Sequence, residues 1–108
     1  MTSNAIPPDI KKKSQKIVER FNKDQLGEWG IVYSVRFRGR YMYLDRDDGV
    51  GPNPICRLTY TGAMDEWEFA IYKYSTESYD PDEWWFPGAE EVDGTVEGAL
   101  CAGMIAYG

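Results

Sequence analysis

Trp29-Gly30-Ile31-Val32-Tyr33-Ser34-Val35-Arg36-Phe37-Arg38 is the stretch that decides the fold. Its odd positions are all large and apolar, and its even positions end in arginine. A period of two marks a strand with one buried face, because successive side chains leave a pleated backbone on opposite sides. Trp29, Ile31, Tyr33, Val35 and Phe37 are therefore expected inward, and Arg36 and Arg38 outward. Arg38-Gly39-Arg40 reads as a tight reversal in which Gly39 can take positive φ. Tyr41-Met42-Tyr43-Leu44 returns as a second strand.

Downstream the alternation continues. Residues 45–54, with three Asp, two Gly and two Pro, have the composition of a loop. A third strand is expected over 55–61, with Cys56, Leu58 and Tyr60 on one side and Arg57, Thr59 and Thr61 on the other. Residues 62–65 turn the chain into a fourth strand over 66–74. There Trp67, Phe69 and Ile71 point one way, and Glu66 and Glu68 the other. Short connections between successive strands favour an antiparallel meander.

The flanks switch to helical spacing. Pro7 and Pro8 suit a helix entry, where a missing N–H costs nothing. Ile10, Ser14, Ile17 and Phe21 then form a narrow stripe on a helix over 8–25, with Lys12, Lys13, Lys16, Arg20 and Lys23 on the remaining arc. At the other end Thr95 is a natural N-cap for a helix over 96–107. Val96, Leu100, Met104 and Tyr107 make a large apolar arc there. Gly98, Ala99, Ala102, Gly103 and Ala106 make a small-residue arc beside it. A helix apolar nearly all round is covered on more than one side. The expectation is one α+β domain over 1–108, ordered α-β-β-β-β-α, with both helices on one face of a four-stranded antiparallel sheet. Residues 1–5 are expected to be flexible.

Composition bounds the function classes. With 43% hydrophobic and 15% aromatic residues in 108, the chain can build a packed core. The net charge of −6 is divided unevenly. Residues 1–60 hold eleven Lys/Arg and seven Asp/Glu, whereas 61–108 hold one and eleven. Such a split suits opposed faces or complementary neighbouring subunits, and a homodimer is expected on that ground and on the all-round apolar last helix. No apolar run reaches the roughly 18 residues of a membrane span, and Met1 to Lys13 lacks a leader's apolar core. The expected location is cytoplasmic, away from membranes. Cys56 and Cys101, without a CxxC spacing or any His, read as free thiols, and no cofactor is expected.

Three constellations bear on chemistry. Asp45, Asp47, Asp48 and Gly49 approach a calcium loop, but glycine arrives one position early and the twelfth position is Cys56, so no metal is expected. Asp80, Asp82 and Glu83 stand beside tryptophans as glycosidase carboxylates do, yet nothing singles out a pair, and without His there is no usual nucleophilic triad. An enzyme is not expected. Arg36, Arg38 and Arg40, with Arg57 and a nearby Tyr41 or Tyr43, form a basic surface that could hold a phosphate backbone. The acidic balance, with a pI of about 4.6, makes nucleic acid the weaker partner, and pairing of these arginines with Glu66, Glu68 or an acidic loop the stronger expectation.

The remaining signal is an aromatic, acidic segment. Half of the chain's 4 Trp, 8 Tyr and 4 Phe lie between Trp67 and Phe86, and Lys73 is the only cation there. Residues 75–94 read as an irregular loop, and Tyr79, Trp84, Trp85 and Phe86 within it are the partner-binding candidates, since Trp and Tyr anchor interfaces. Adjacent Trp84 and Trp85 should diverge, one toward the core and one outward. The leading expectation is a small binding or regulatory module without catalysis, taking a protein partner or a second copy. The alternatives are a small-ligand pocket under the 75–94 loop, and a weak nucleic-acid binder using the first helix and the sheet arginines.

Overall fold

The computed structural model describes residues 5–107; the expected flexible start lies outside the described residues except for Ala5. Helix α1 (Pro8–Leu26) leads into β1 (Val32–Arg38), β2 (Tyr41–Asp47), β3 (Pro52–Thr59), β4 (Glu68–Lys73) and β5 (Ser78–Asp80), and α2 (Val96–Ala106) closes the order. The five strands lie side by side in sequence order, each antiparallel to the next. The class and the helix–strands–helix order agree with the sequence reading, and the strand count does not. Ser78–Asp80 pairs with Ile71–Lys73 and adds a fifth strand inside the segment read as a loop. Three residues carry too short an alternation to register as a period.

Strand parity puts the core on one face. Tyr33, Met42, Leu44, Cys56, Leu58, Phe69 and Ile71 are buried with Ile10, Val18 and Leu26 of α1 and with Val96, Ala99, Leu100 and Ala102 of α2. Both helices therefore cover the same side of the sheet. The α1 stripe is wider than expected, because Val18 and Leu26 join Ile10 and Ser14 as buried positions. Trp29 departs from the parity expectation. It sits in the turn before β1 and is 73% exposed, so the strand begins at Val32 and the alternation of residues 29–31 belongs to the connection. The expected loop at 45–54 also shrinks. β2 runs on through Asp47 and β3 starts at Pro52, with a register shift at Leu44/Asp45 that leaves Ile55 as the extra residue.

That extension gives Arg46 a structural task. Its side chain is buried, and its guanidinium donates to the carbonyls of Gly103 (3.2 Å) and Tyr107 at the end of α2. The Gly103 carbonyl also accepts from the Tyr107 N–H (3.0 Å), and the guanidinium adds a cation at the negative end of the helix dipole. At the other end Thr95 caps as expected, its Oγ1 accepting from the Gly98 N–H (2.9 Å). Tyr33 Oη donates to the Leu100 carbonyl (2.9 Å). A side chain at Gly103 would meet Ile55 Cγ2 at 2.6 Å, so glycine sets how closely α2 approaches the sheet. The 86–93 segment packs on the other flank of α2, where a side chain at Gly88 would meet the Ala102 carbonyl at 2.7 Å. The small-residue arc is thus covered within the chain.

Candidate functional site

The face of the sheet away from the helices carries the other half of the alternation. Register places Arg36 beside Tyr43, Tyr43 beside Arg57, and Arg57 beside Ala70. The next row runs Arg38, Tyr41, Thr59, Glu68, and Tyr72 stands beside Tyr79 at the β4–β5 edge. These side chains lock together. The Arg36 guanidinium lies 4.9 Å from the Tyr43 ring centre, and that of Arg57 lies 4.7 Å from Tyr41 and 5.6 Å from Tyr79. Tyr79 packs against Tyr43 (5.3 Å) and Tyr72 (5.0 Å) with the rings steeply inclined. Cation–π and edge-to-face contacts of this kind hold long side chains in place without full burial.

Charge on this face is partly matched. Arg36 forks onto Asp45, Nε to Oδ2 at 2.6 Å and a terminal nitrogen to Oδ1 at 3.2 Å. The Asp45 side chain is only 10% exposed but that of Arg36 is 57% exposed, so solvent screens the pair and its stability contribution is about 0–1 kcal/mol. The expected pairing of the arginines with Glu66 or Glu68 does not occur. Among the described residues Arg38, Arg40 and Arg57 make no ion pair, and the Arg57 Nε is buried without an acceptor. Arg40 and Arg57 lie over tyrosine rings instead. Burial raises the Tyr79 phenol above its ordinary range, which keeps it a neutral donor. Arg36, Arg38, Phe37, Tyr43 and Tyr79 together line an open depression of about 400 Å³.

The partner-binding candidates are divided by the fold. Tyr79 joins the arginines on the open face. Phe86 stacks on Phe69 (5.8 Å between ring centres) at the edge of the core, and Trp84 stacks on Phe86 (6.3 Å) and packs at a tilt against Phe69 (6.1 Å) while remaining 47% exposed. Trp85 is 96% exposed. Adjacent tryptophans do diverge, and neither is fully buried. Arg40 lies at the end of the face, 5.5 Å from the Tyr41 ring. Under the aromatic segment Trp67, Phe69, Pro81, Trp84, Val92, Gly94 and Glu68 line a second open cleft of about 430 Å³.

Proton chemistry is constrained by Lys73. Its Nζ lies 3.0 Å from Glu83 and 3.8 Å from Asp80, and the hydrogen bond from Lys73 holds the Glu83 carboxyl below its usual range. A carboxyl lowered in this way is a poor proton donor at neutral pH. The Asp45–Asp48 carboxylates diverge: Asp45 faces Arg36, whereas Asp47 Oδ1 accepts from the Gly49 (2.8 Å) and Gly51 N–H groups of the turn. Burial pushes the Cys56 thiol well above its ordinary range, and Cys101 shifts in the same direction. A raised thiol pKa lowers nucleophilicity by depleting thiolate.

Sequence reasoning missed Tyr72 and Arg46. Tyr72 shares the parity of Glu66 and Glu68, so its outward placement was available from the alternation. Arg46 was hidden by the loop composition around it. No protein-family model, curated protein or solved structure gives a significant match to the chain.

Proposed function

We propose that the protein is a small binding module without catalytic chemistry of its own, working in the cytoplasm, and that the helix-free face of its sheet docks a protein partner through acidic groups. The observation that supports this reading is the Tyr–Arg lattice of Arg36, Arg57, Tyr41, Tyr43, Tyr72 and Tyr79 on an uncovered sheet face. Tyr and Arg are the residue types that concentrate binding energy at interfaces, and here their ordering is established before any partner arrives. The outward groups are guanidinium N–H and phenol O–H, a donor-rich array that suits carboxylates.

Nucleic acid is the weaker reading on geometric grounds. Base stacking needs free ring faces, whereas Arg36 already covers Tyr43 and Arg57 and Arg40 cover Tyr41. A homodimer belongs to the same proposal, because the acidic residues 61–108 of a second copy would supply the carboxylates. Purification of the protein from its host, in wild-type form and as Arg57→Ala with Tyr43→Ala, tests the reading. A co-purifying protein that the double variant loses supports it. Nuclease-sensitive nucleic acid, or the same partners on both forms, overturns it. Sedimentation of the purified chain identifies a second copy as the partner if the species is twice 12.4 kDa.

A further inference from the structure

The cleft beside Trp84 shares only Glu68 with the rows of the open face. Its apolar wall is preformed. Phe69, Phe86 and Trp84 form a three-ring cluster, their centres 5.8 to 6.3 Å apart and their planes inclined by 21° to 40°, which holds the half-exposed Trp84 ring as a ledge beside Pro81 and Val92. Trp67 forms the far wall, and its indole Nε1 is buried without an acceptor among the described residues.

The backbone at this cleft is open as well. Tyr60 N–H donates to the Arg40 carbonyl just before β2, so by the alternation of an antiparallel ladder Arg57 and Thr59 turn their backbone groups toward β4. Their partners Ala70 and Glu68 then face β3, and Trp67, Phe69 and Ile71 face the other way. An independent contact agrees: Trp67 N–H donates to the Gly94 carbonyl (2.9 Å), and Ile71, of the same parity, lies opposite Asp80 of β5. Between them, Phe69 turns its N–H and C=O to the cleft, where no described segment pairs with it. β5 ends at Asp80, and Pro81, which follows it, lines the cleft.

Charge selects the occupant. Glu68 lines the cleft, and Asp82 and Glu83 precede Trp84. Lys73 is the only cation in residues 61–108, and it is engaged by Glu83 and Asp80. Among the described residues Glu66, Glu68 and Asp82 have no cationic partner. We propose that the cleft between β4 and Trp84 is a docking groove for an extended, proline-containing basic peptide segment of a partner protein. Its proline rings lie on the Trp84, Pro81 and Val92 surface, one of its peptide units pairs with the Phe69 backbone, and its cationic side chain reaches Glu68. Proline segments suit such a groove because they are already extended and lose little entropy on docking, and aromatic ledges are the surface they pack on.

Calorimetric titration of the full chain with peptides of about twelve residues tests this: Pro-Pro-Arg repeats, Pro-Pro-Glu repeats and Gly-Gly-Arg repeats. The Pro-Pro-Arg peptide binds, and the other two bind at least about tenfold more weakly, a difference of about 1.4 kcal/mol. Trp84→Ala weakens that binding by about tenfold or more, and Trp84→Phe, which keeps a ring, retains most of it. Glu68→Lys weakens it and reduces its salt dependence. Trp85→Ala and Arg57→Ala leave it within about twofold, which separates this groove from the open sheet face. A cooperative melt of each variant confirms that it is folded. Equal binding of the Gly-Gly-Arg peptide means charge attraction alone and overturns the proposal. So does binding that survives Trp84→Ala, preference for the Pro-Pro-Glu peptide, or no binding of Pro-Pro-Arg.

Discussion

Phe37, Met42, Leu58 and Phe69 form one row across β1 to β4; one residue along, Arg38, Tyr41, Thr59 and Glu68 form the next row on the opposite side. The same backbone supports both, yet they are ordered by different forces. The inner row is held by removal from water under α1 and α2, a term roughly proportional to apolar area and tolerant of direction. The outer face stays wet and is ordered by directional contacts, guanidinium over ring and ring edge to ring face, made by Arg36, Arg57, Tyr41, Tyr43, Tyr72 and Tyr79. Stability should therefore reside in one face and recognition in the other.

The sharpest way to break that division is Phe69→Ala. It removes a buried ring and the support of Trp84 and Phe86, and should lower the unfolding free energy by about 3–5 kcal/mol in chemical denaturation. An unchanged midpoint would refute the inward assignment of β4. Gly103→Ala probes the helix side more gently. Its new methyl meets Ile55 and Tyr33, and the overpacking cost of about 1–3 kcal/mol outweighs the gain of about 1 kcal/mol in helix propensity or cancels it. A clearly stabilised variant would show that α2 can move off the sheet.

Alkaline pH sharpens the same contrast. Burial holds the Tyr33 phenol and the Cys56 thiol far above their ordinary values of 10.0 and 9.0. Because the folded values are raised, stability is fully present below pH 9.0 and falls as pH rises through the ordinary values, where the unfolded chain ionises first. Tyr33→Phe should flatten that alkaline fall while costing about 1 kcal/mol at neutral pH from the lost Leu100 bond. A melting series from neutral to alkaline pH reads both effects.

On the open face, Arg57→Ala should change stability by about 1 kcal/mol or less, since the residue makes no ion pair among the described residues, while abolishing capture of the protein partner. Smallest of all, Trp29→Ala should stay within about 0.5 kcal/mol, because the ring is 73% exposed in a turn. Equal loss of stability from Trp29 and Phe69 substitutions would erase the distinction between the turn and the strands.

Much of this architecture was legible along the chain. The two helices with their Pro7–Pro8 entry and Thr95 cap, the four long strands and the inward set from Tyr33 to Ile71 follow from period and end signals, which are local properties of neighbouring residues. The outward placement of Arg36 and Arg38 follows from the same parity. The site was legible only in pieces. Tyr79 stands 22 positions from Arg57 and 43 from Arg36 in sequence, and they meet only because β5 pairs with β4 and completes the sheet edge.

The sequence by itself determined which side chains share a face, because alternation is set by backbone geometry within each strand. Tertiary structure decided which elements cover which face, and that is a question of contacts between distant segments. It extended β2 so that Arg46 could end α2, recruited Ser78–Asp80 as a fifth strand, covered the small arc of α2 from within, and separated Tyr79 from Trp84 onto opposite sides of the sheet. Each outcome depends on a hydrogen-bond or packing partner remote in the chain, which no local pattern encodes.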